Sequence, residues 1–497
     1  MYIKRHTYNS DGKSYSYLKL SKSVRVGARV KRVDVVNFGR LDDPTSPAYF
    51  LDKYLTKSVE INGQQKFYTL PMAVYTVCRE YLGLDNILNN IVDNSRIDID
   101  LWIYTILMII GRIMDPDSKL SLTRKYQDYY LPQSTPASID VQNFYRTLSY
   151  LTEHKVSIER NIALNLTKQG LNDTTIVFYD LTSTYFEGDC CQSAKKGHSR
   201  DHRSDRVQIE LGLVINNQGI PIYHEVYEGN VTDVKTYQCT VKRIADAYPD
   251  ARIIFVSDKG MLSKDNIEFL DKHEYPYIVS ASAFRYYSKI SDLLKDKDKF
   301  KKYKDNLFYL KSSEGIICYN PETAKKSKIT RDNAIKRAQD LIVKAKKNHP
   351  QDYKVFLAKH ICKYHRKYFD DEYILKQVVI DKEALIDGVW LIKSNRTFKY
   401  TKTIISVYKK QADIEHAFDI IKNVLEIRPI YHHNDDRVNG HVFICVLAYA
   451  VARILEIKSQ DTIHNIIERY RNSIILSINN KPHIVGEQTL LNQLKQT

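Results

Sequence analysis

Three acidic residues stand where chemistry can be built. Asp180 follows the apolar run Ile176-Val-Phe-Tyr and sits in Tyr179-Asp-Leu-Thr-Ser-Thr. Asp258 follows Ile253-Ile-Phe-Val-Ser and sits in Ser257-Asp-Lys-Gly. If the two runs are neighbouring buried strands, both acids lie at strand ends, side by side. Two carboxylates so placed repel each other and call for cations. Mg²⁺ suits them, because it takes oxygen ligands and keeps waters and substrate phosphates. A second ion ~3.5–4 Å away would let one activate an attacking oxygen while the other stabilises the leaving one. The third acid is Glu415. On a helix from Tyr408, at about 100° per residue, Tyr408, Gln411, Glu415 and Lys422 fall within about 60° of one another. Ile414, Ala417, Phe418, Ile421 and Leu425 form the opposite, core face. An acid for metal and a lysine for phosphate on one stripe suit a nucleic-acid phosphodiester. Each acid alone has a bland reading, as a turn or helix cap or a solvated helix residue. The combination is more specific, because it needs two strand ends and one helix in a definite order.

Composition points the same way. The chain has 497 residues, enough for two to four domains, and a net charge of +16. Such an excess favours a polyanion, since each Lys or Arg set against a phosphate releases counterions. The 37 tyrosines offer stacking faces and hydroxyls for phosphates. An AT-rich genome accounts for much of that count, but not for the charge. Seven cysteines, an odd number with no CxxC, speak against a disulfide framework and for reduced cytosolic thiols. The polar opening Met1-Tyr-Ile-Lys-Arg-His is no signal peptide. The most apolar run, Leu101 to Ile113, is shorter than the ~20 residues a bilayer needs and reads as a buried helix.

The acids must be positioned by residues 171–285, which read as β-β-β-α-β-α-β. The run before Asp180 is followed by the hairpin Gln208–Ile215 and Pro221–Tyr227, joined through Asn216-Asn-Gln-Gly219. A helix over Thr236–Ala247, the run before Asp258, a helix over Lys264–His273 and a strand over Tyr277–Ser280 complete the order. This suits a mixed sheet, antiparallel at its start and parallel after, with helices on its faces. The ribonuclease H-like fold has this order. The expected class is therefore α/β: an RNase H-like mixed-sheet catalytic core, an inserted domain, and an N-terminal β-plus-helical region.

Around the core, residues 1–65 read as strands, with Asp11-Gly12 as a hairpin turn. They are a candidate DNA-contacting sheet or a solvated edge sheet. Residues 66–170 read as helices, starting near Pro71. Residues 286–386 read as the inserted domain, with a dense basic stretch at Lys289–Lys304 and a basic helix at Thr330–Lys347. Strand-like runs are expected there at Tyr353–Leu357 and Tyr373–Ile380. Residues 387–460 return to the core with the Glu415 helix, expected to begin near Val407, and 461–497 read as a helical tail.

The stretch Tyr408-x2-Gln411-x3-Glu415-x6-Lys422 resembles the Y-x2-R-x3-E-x6-K signature of bacterial insertion-sequence transposases. These form the insertion sequence four superfamily, which has an insertion before the glutamate. Gln411 stands where arginine is usual, and it can hydrogen-bond a phosphate but brings no charge. Gly197-His-Ser-Arg-Asp-His-Arg203 is similar to that group's segment between its first two strands. Glu225-Val-Tyr-Glu-Gly-Asn230-x2-Asp233-x2-Thr236 resembles its strand-to-helix link, and Tyr2-Ile-Lys-Arg and Asn37-Phe-Gly-Arg40 also resemble the group.

The resemblance implies a DDE DNA transposase, a polynucleotidyl transferase and endonuclease. Water would cleave a strand, the freed 3′-hydroxyl would attack, and cut-and-paste transposition would pass through a DNA hairpin. It implies two Mg²⁺ ions, with Mn²⁺ able to substitute, held by Asp180, Asp258 and Glu415. Tyr408, Gln411 and Lys422 would grip phosphates of the transposon ends, and His202 and Arg203 would contact DNA. The partners implied are double-stranded DNA, as transposon ends and target, and a second copy of the chain on paired ends. The expected place is the cytoplasm, on the nucleoid and away from membranes.

Three other readings stay open: a decayed or domesticated transposase that binds DNA without cutting it, an RNase H-like nuclease that never joins strands, and a non-enzymatic basic RNA- or DNA-binding protein. Cys190, Cys191, His198 and His202 are zinc-competent types, but their spacing matches no common zinc module. His432, His433, Asp435 and Asp436 read as a solvated turn. Trp390 reads as core within Val389-Trp-Leu-Ile392, with stacking on a flipped base as the sharper alternative.

Overall fold

The computed structural model describes residues 2–10, 13–26, 29–43, 45–49, 67–129, 131, 138–188, 191–231, 233–248, 253–261, 263–396, 400–470, 474–478, 481–485 and 494. At the N-terminus, β1 (Tyr2–Ser10), β2 (Lys13–Val26) and β3 (Arg29–Arg40) form an antiparallel sheet. The turn signal Asp11-Gly12 lies outside the described residues. One face of this sheet packs a small core of Leu18, Phe38 and Ala48. After β4 (Phe67–Tyr68) come helices, among them Leu101–Met114, Val141–Glu153 and Lys155–Lys168. Leu101–Met114 starts where the Asp100 carboxylate accepts from the Ile103 N–H, and nearly all of it is buried.

The core is a nine-stranded sheet. In chain order its strands are β5 (Ile176–Tyr185), β6 (Gln208–Ile215), β7 (Pro221–Glu228), β8 (Ile254–Ser257), β9 (Tyr277–Ser282), β10 (Lys301–Lys304), β11 (Leu307–Ser312), β12 (Gly315–Tyr319) and β13 (Val389–Ser394). In space they run β10-β11-β12-β13-β9-β8-β5-β6-β7. β5, β6 and β7 are an antiparallel meander, while β8 runs parallel to β5 and β9 parallel to β8. The helix Asp233–Ala247 separates β7 from β8, and Lys264–Lys272 separates β8 from β9. This is the RNase H-like arrangement expected from the element order.

The pleat divides the sheet's side chains between two cores. Phe178, Leu213, Val256, Ile278 and Ile392 face the N-terminal helices and the long helix Asp435–Ser459. Val177, Tyr179, Phe255, Val279 and Leu391 face Tyr237, Val241, Leu270 and Ile290 of the other helical layer. Asp435–Ser459 is the one described helix long and apolar enough to cross a membrane, yet 89% of its most apolar window is buried inside the fold.

Four sequence expectations need correction. β5 does not stop at Asp180. Thr182, Ser183, Thr184 and Tyr185 go on to pair with Leu211, Glu210, Ile209 and Gln208, so Asp180 lies in mid-strand. The sheet does not end at residue 285 either, because β10, β11 and β12 extend it through β13. The runs at Tyr353–Leu357 and Tyr373–Ile380 form no strands; helices cover Tyr353–His360 and Gln377–Ile386. Leu357, Tyr368, Phe369 and Tyr373 pack on Ala334, Ala338, Ile342 and Ala345 of the helix Pro321–Asn348, and this contact outweighs β propensity. Finally, the C-terminal tail is only partly helical. Ile463–Tyr470 is a helix, but β14 (Ile474–Ile478) pairs with β15 (Lys481–Val485) and with β4. The β-branched run Ile474-Ile-Leu-Ser-Ile478 accounts for the strand.

Candidate active site

The parallel register sets Phe178 beside Val256. Continued two residues on each strand, it sets Asp180 beside Asp258, which immediately follows β8. Neighbouring strands are about 4.8 Å apart, and residues two apart share a face. Both acids therefore belong to the face of Phe178 and Val256. The Asp180 carboxylate accepts from the Leu181 N–H at 2.8 Å, and Asp258 accepts from the Ser280 hydroxyl at 3.1 Å. Ser280 comes from β9, whose Ile278 pairs with Val256.

The helix bearing Glu415 is shorter than expected. One helix covers Thr401–Lys409, the chain turns at Lys410 and Gln411, and a second helix covers Ala412–Asp419. A π turn follows over Ile420–Val424, so the regular 100° stripe does not extend to Lys422. Ile414, Ala417 and Phe418 bury the second helix against the same face of the sheet, while Glu415 is exposed. Tyr408 ties the elements together. Burial pushes its phenol up to about 12; a hydrogen bond with Ser280 opposes this, and the charges of Asp258 and Glu415 add to it. One tyrosine thus feels two of the three acids, which come from distant parts of the chain.

Gln411 is 7% exposed, and its Oε1 is buried without a hydrogen-bond partner among the described residues. Lys422 is ion-paired with Asp201 at 2.8 Å, and Arg428 reaches the same carboxylate oxygen at 2.8 Å. Burial holds the Lys422 ammonium below the ordinary lysine range, against the pull of Asp201. His202 is exposed, with a φ of 57°. Arg203 forks onto Asp205 at 2.9 Å and lies over the Tyr185 ring at 4.9 Å. Ser280, Asp201 and Arg428 were not singled out from sequence. Asp201 lay inside the quoted Gly197–Arg203 segment and Ser280 ended a predicted strand, but neither had a partner visible along the chain.

The transposase DDE domain family matches residues 171–451, which span every strand of the core sheet and all three acids. The chain belongs to this family. It is a DNA transposase, and its chemistry is polynucleotidyl transfer and strand cleavage. No curated protein matches the chain. A solved piggyBac transposase synaptic complex with hairpin DNA is 9% identical, covers 81% of this chain and 79% of its own, and gives a TM-score of 0.37. A Mos1 transposase paired-end complex with left transposon end is 15% identical, covers 37% of this chain and 59% of its own, and gives 0.16.

The transposase's acids fit the divalent metal ion that its family uses. Among the described residues neither Asp258 nor Glu415 has an ion-pair partner. Asp180 and Asp258 are hard oxygen donors from adjacent strands, and like charges so placed favour a bound cation. No group of three His, Cys, Asp or Glu among the described residues forms a ready cage.

The zinc-competent residues do something else. Cys190 lies outside the described residues. The Cys191 thiol donates to Asp435 at 2.6 Å, and the Ser193 hydroxyl donates to the same oxygen at 2.8 Å. This knot ties the loop after β5 to the start of the long helix. The segment from His432 is accordingly no simple solvated turn: burial, then the charges of Lys119 and Arg112, push His432 down to about 3. Trp390 is half-buried in β13, and its indole N–H has no partner among the described residues.

Beside His432 lies a testable lysine. Lys119 Nζ is 3.3 Å from His441 Nδ1, and His441 Nε2 is 3.0 Å from the Ile427 carbonyl. The imidazole is thus assigned its proton on Nε2, and the lysine donates to Nδ1. Burial, with Arg112 second, pulls the Lys119 ammonium down to about 7. In the unfolded chain it stays charged to about 10.4. Between these values the unfolded state binds more protons, so this lysine makes stability rise with pH. The stability of the wild type relative to Lys119→Gln is expected to climb across that window by on the order of 1 kcal/mol per pH unit. A difference in melting temperature that stays constant from pH 7 to 10 would contradict this.

Proposed function

We propose that the transposase cuts and rejoins double-stranded DNA at insertion-sequence ends by cut-and-paste through a DNA hairpin. In this reading two Mg²⁺ ions, replaceable by Mn²⁺, are held by Asp180, Asp258 and Glu415. The single observation that supports it best is the β5–β8 register, which puts Asp180 beside Asp258. Tyr408, in the field of both Asp258 and Glu415, joins the third acid to them. Divalent ions bound there would supply Lewis acidity and a more acidic water.

The chain's own residues do the rest. Ser280 fixes one Asp258 oxygen through its hydroxyl, which restricts rotation of that carboxylate. Tyr408 and Gln411 line the entry to the Glu415 helix and orient the transposon-end phosphates. Lys422, and at the loop His202 and Arg203, face the DNA. Hydrolysis breaks a P–O3′ bond and leaves a 3′-hydroxyl. That hydroxyl then attacks a second phosphodiester and displaces its 3′-oxygen, so the number of phosphodiester bonds is kept in the transfer step. Paired ends call for two copies of the chain, acting at the nucleoid.

The test is cleavage of a labelled duplex carrying the DNA ends that flank this gene. Cleavage and transfer of a pre-cut end in Mg²⁺, and neither in chelator, are the expected results. Cleavage without transfer would leave a nuclease, and binding without either would leave a DNA-binding remnant. Gln411→Arg is expected to tighten end binding and to steepen its salt dependence by about one unit, because it adds one cation at a phosphate. An unchanged slope would remove position 411 from the DNA interface.

A further inference from the structure

The outer face of the N-terminal sheet has an organisation that the acid site does not use. Register sets Tyr8 directly opposite Tyr15 and His6 directly opposite Tyr17. The four rings form one block on β1 and β2. His6 and Tyr8 stack at 6.0 Å between centroids, and Tyr8 meets Tyr17 edge-on at 5.7 Å. Cations border the block. The Arg40 guanidinium, which also forks onto the Asp42 carboxylate, lies 4.4 Å from the Tyr15 ring centre, and Lys19 Nζ lies 5.5 Å from that of Tyr8. Lys4 stands directly opposite Lys19. Arg32 shares this face through its pairing with Ser23, and Asp34, paired with Ser21, holds both Lys19 and Arg32.

The opposite face holds the buried Leu18 and Phe38, so packing explains that side and not this one. Tyr8 remains 48% exposed. Cross-strand aromatic pairs do stabilise a sheet, but like charges placed directly opposite each other weaken it. Asp34 offsets Lys19 only in part, and Lys4 has no ion-pair partner among the described residues, so the charge of Lys4 beside this half-buried block is a cost that folding alone does not require. An anion laid across the block would offset it.

We propose that this face binds single-stranded DNA, with unpaired bases stacking on His6, Tyr8, Tyr15 and Tyr17 and the backbone running along Lys4, Lys19, Arg32 and Arg40. Rings presented on a sheet can stack only on base faces, and an intact duplex offers edges and phosphates instead. Cation–aromatic interleaving is the chemistry that holds single strands with little sequence preference. The choice of DNA over RNA rests on the transposase reading, since strand opening and rejoining expose unpaired nucleotides. The binding itself does not depend on the three acids.

The experiment uses the full chain in chelator, so that cleavage plays no part. Fluorescence anisotropy follows a labelled thymidine oligonucleotide of about 16 nucleotides, a duplex of equal length and the matching uridine oligonucleotide. Tyr8→Ala is expected to weaken single-strand binding roughly tenfold and to leave duplex binding unchanged. Tyr8→Phe keeps the ring and is expected to bind as the wild type does. Lys4→Ala, at an exposed position, is expected to lower the single-strand salt slope by about 0.7 unit. Equal losses on single strand and duplex, or no loss on either, would overturn the proposal. Tighter binding of the uridine oligonucleotide would overturn the choice of DNA. Should Tyr8→Ala unfold, Lys4→Ala alone still decides, because an unchanged slope overturns the backbone path. Failure here leaves the cleavage test untouched, and failure there leaves this binding measurable.

Discussion

Glu415→Ala is expected to leave binding of a transposon-end duplex within about twofold of wild type and to lower its cleavage by on the order of 10³-fold or more. The binding half follows from position. Glu415 is exposed, and its helix is fixed by Ile414, Ala417 and Phe418 on the other side. Alanine is a strong helix former, so the substitution leaves that helix intact. The cleavage half follows from charge. With Glu415 as one of the three proposed oxygen ligands, its removal forfeits several kcal/mol of transition-state stabilisation, and each ~1.4 kcal/mol is a factor of ten. Tyr408 gives an independent readout. Burial chiefly holds its phenol up near 12, and the charges of Asp258 and then Glu415 add to it, so the variant should ionise Tyr408 at somewhat lower pH. An absorbance titration against Tyr408→Phe measures this without any DNA. Wild-type cleavage by Glu415→Ala would end the ligand assignment. Lost binding together with lost cleavage would mean that the helix positions DNA.

The core was legible because strand order is a local property. Buried β-branched runs, a hairpin with Gly at its turn and amphipathic helices each announce themselves within about a dozen residues. Pairing across the sheet does not. That Asp180 lies in mid-strand depends on Gln208–Leu211 returning to pair with Thr182–Tyr185, some 25 residues away. The extension of the sheet by β10, β11 and β12 depends on β13, which follows only after the helical segment. The 353–380 stretch misled because its aromatic and β-branched residues suit a strand as well as a helix, and only the alanine face of Pro321–Asn348 decides between them. At the site, the residue types were readable but their partners were not. Asp258 and Tyr408 meet through Ser280, and the charge of Glu415 acts on Tyr408. Lys422, read as a free phosphate ligand on one helical stripe, is turned by the π segment Ile420–Val424 onto Asp201.

That last contact leads to paired expectations for Asp201 and Lys422. Two cations, Lys422 and Arg428, share one carboxylate oxygen, and the other Asp201 oxygen is buried without a hydrogen-bond partner among the described residues. The trio thus holds one positive charge more than it neutralises. Asp201→Ala would leave both cations without their anion in a largely buried place, and the loss expected is on the order of 3 kcal/mol. A fall of several degrees in melting temperature checks it. In the same variant the freed charge should steepen the salt dependence of duplex-end binding by about one unit. Lys422→Ala acts the other way. Arg428 then pairs with Asp201 alone, the trio becomes neutral, and the slope should fall by about one unit with much less effect on stability. Opposite movements of the slope require that the excess charge of this trio faces DNA phosphate. If neither variant moves the slope while Asp201→Ala still melts early, the trio only braces the Gly197–Arg203 loop against the π segment, and the phosphate grip must lie with Tyr408 and Gln411.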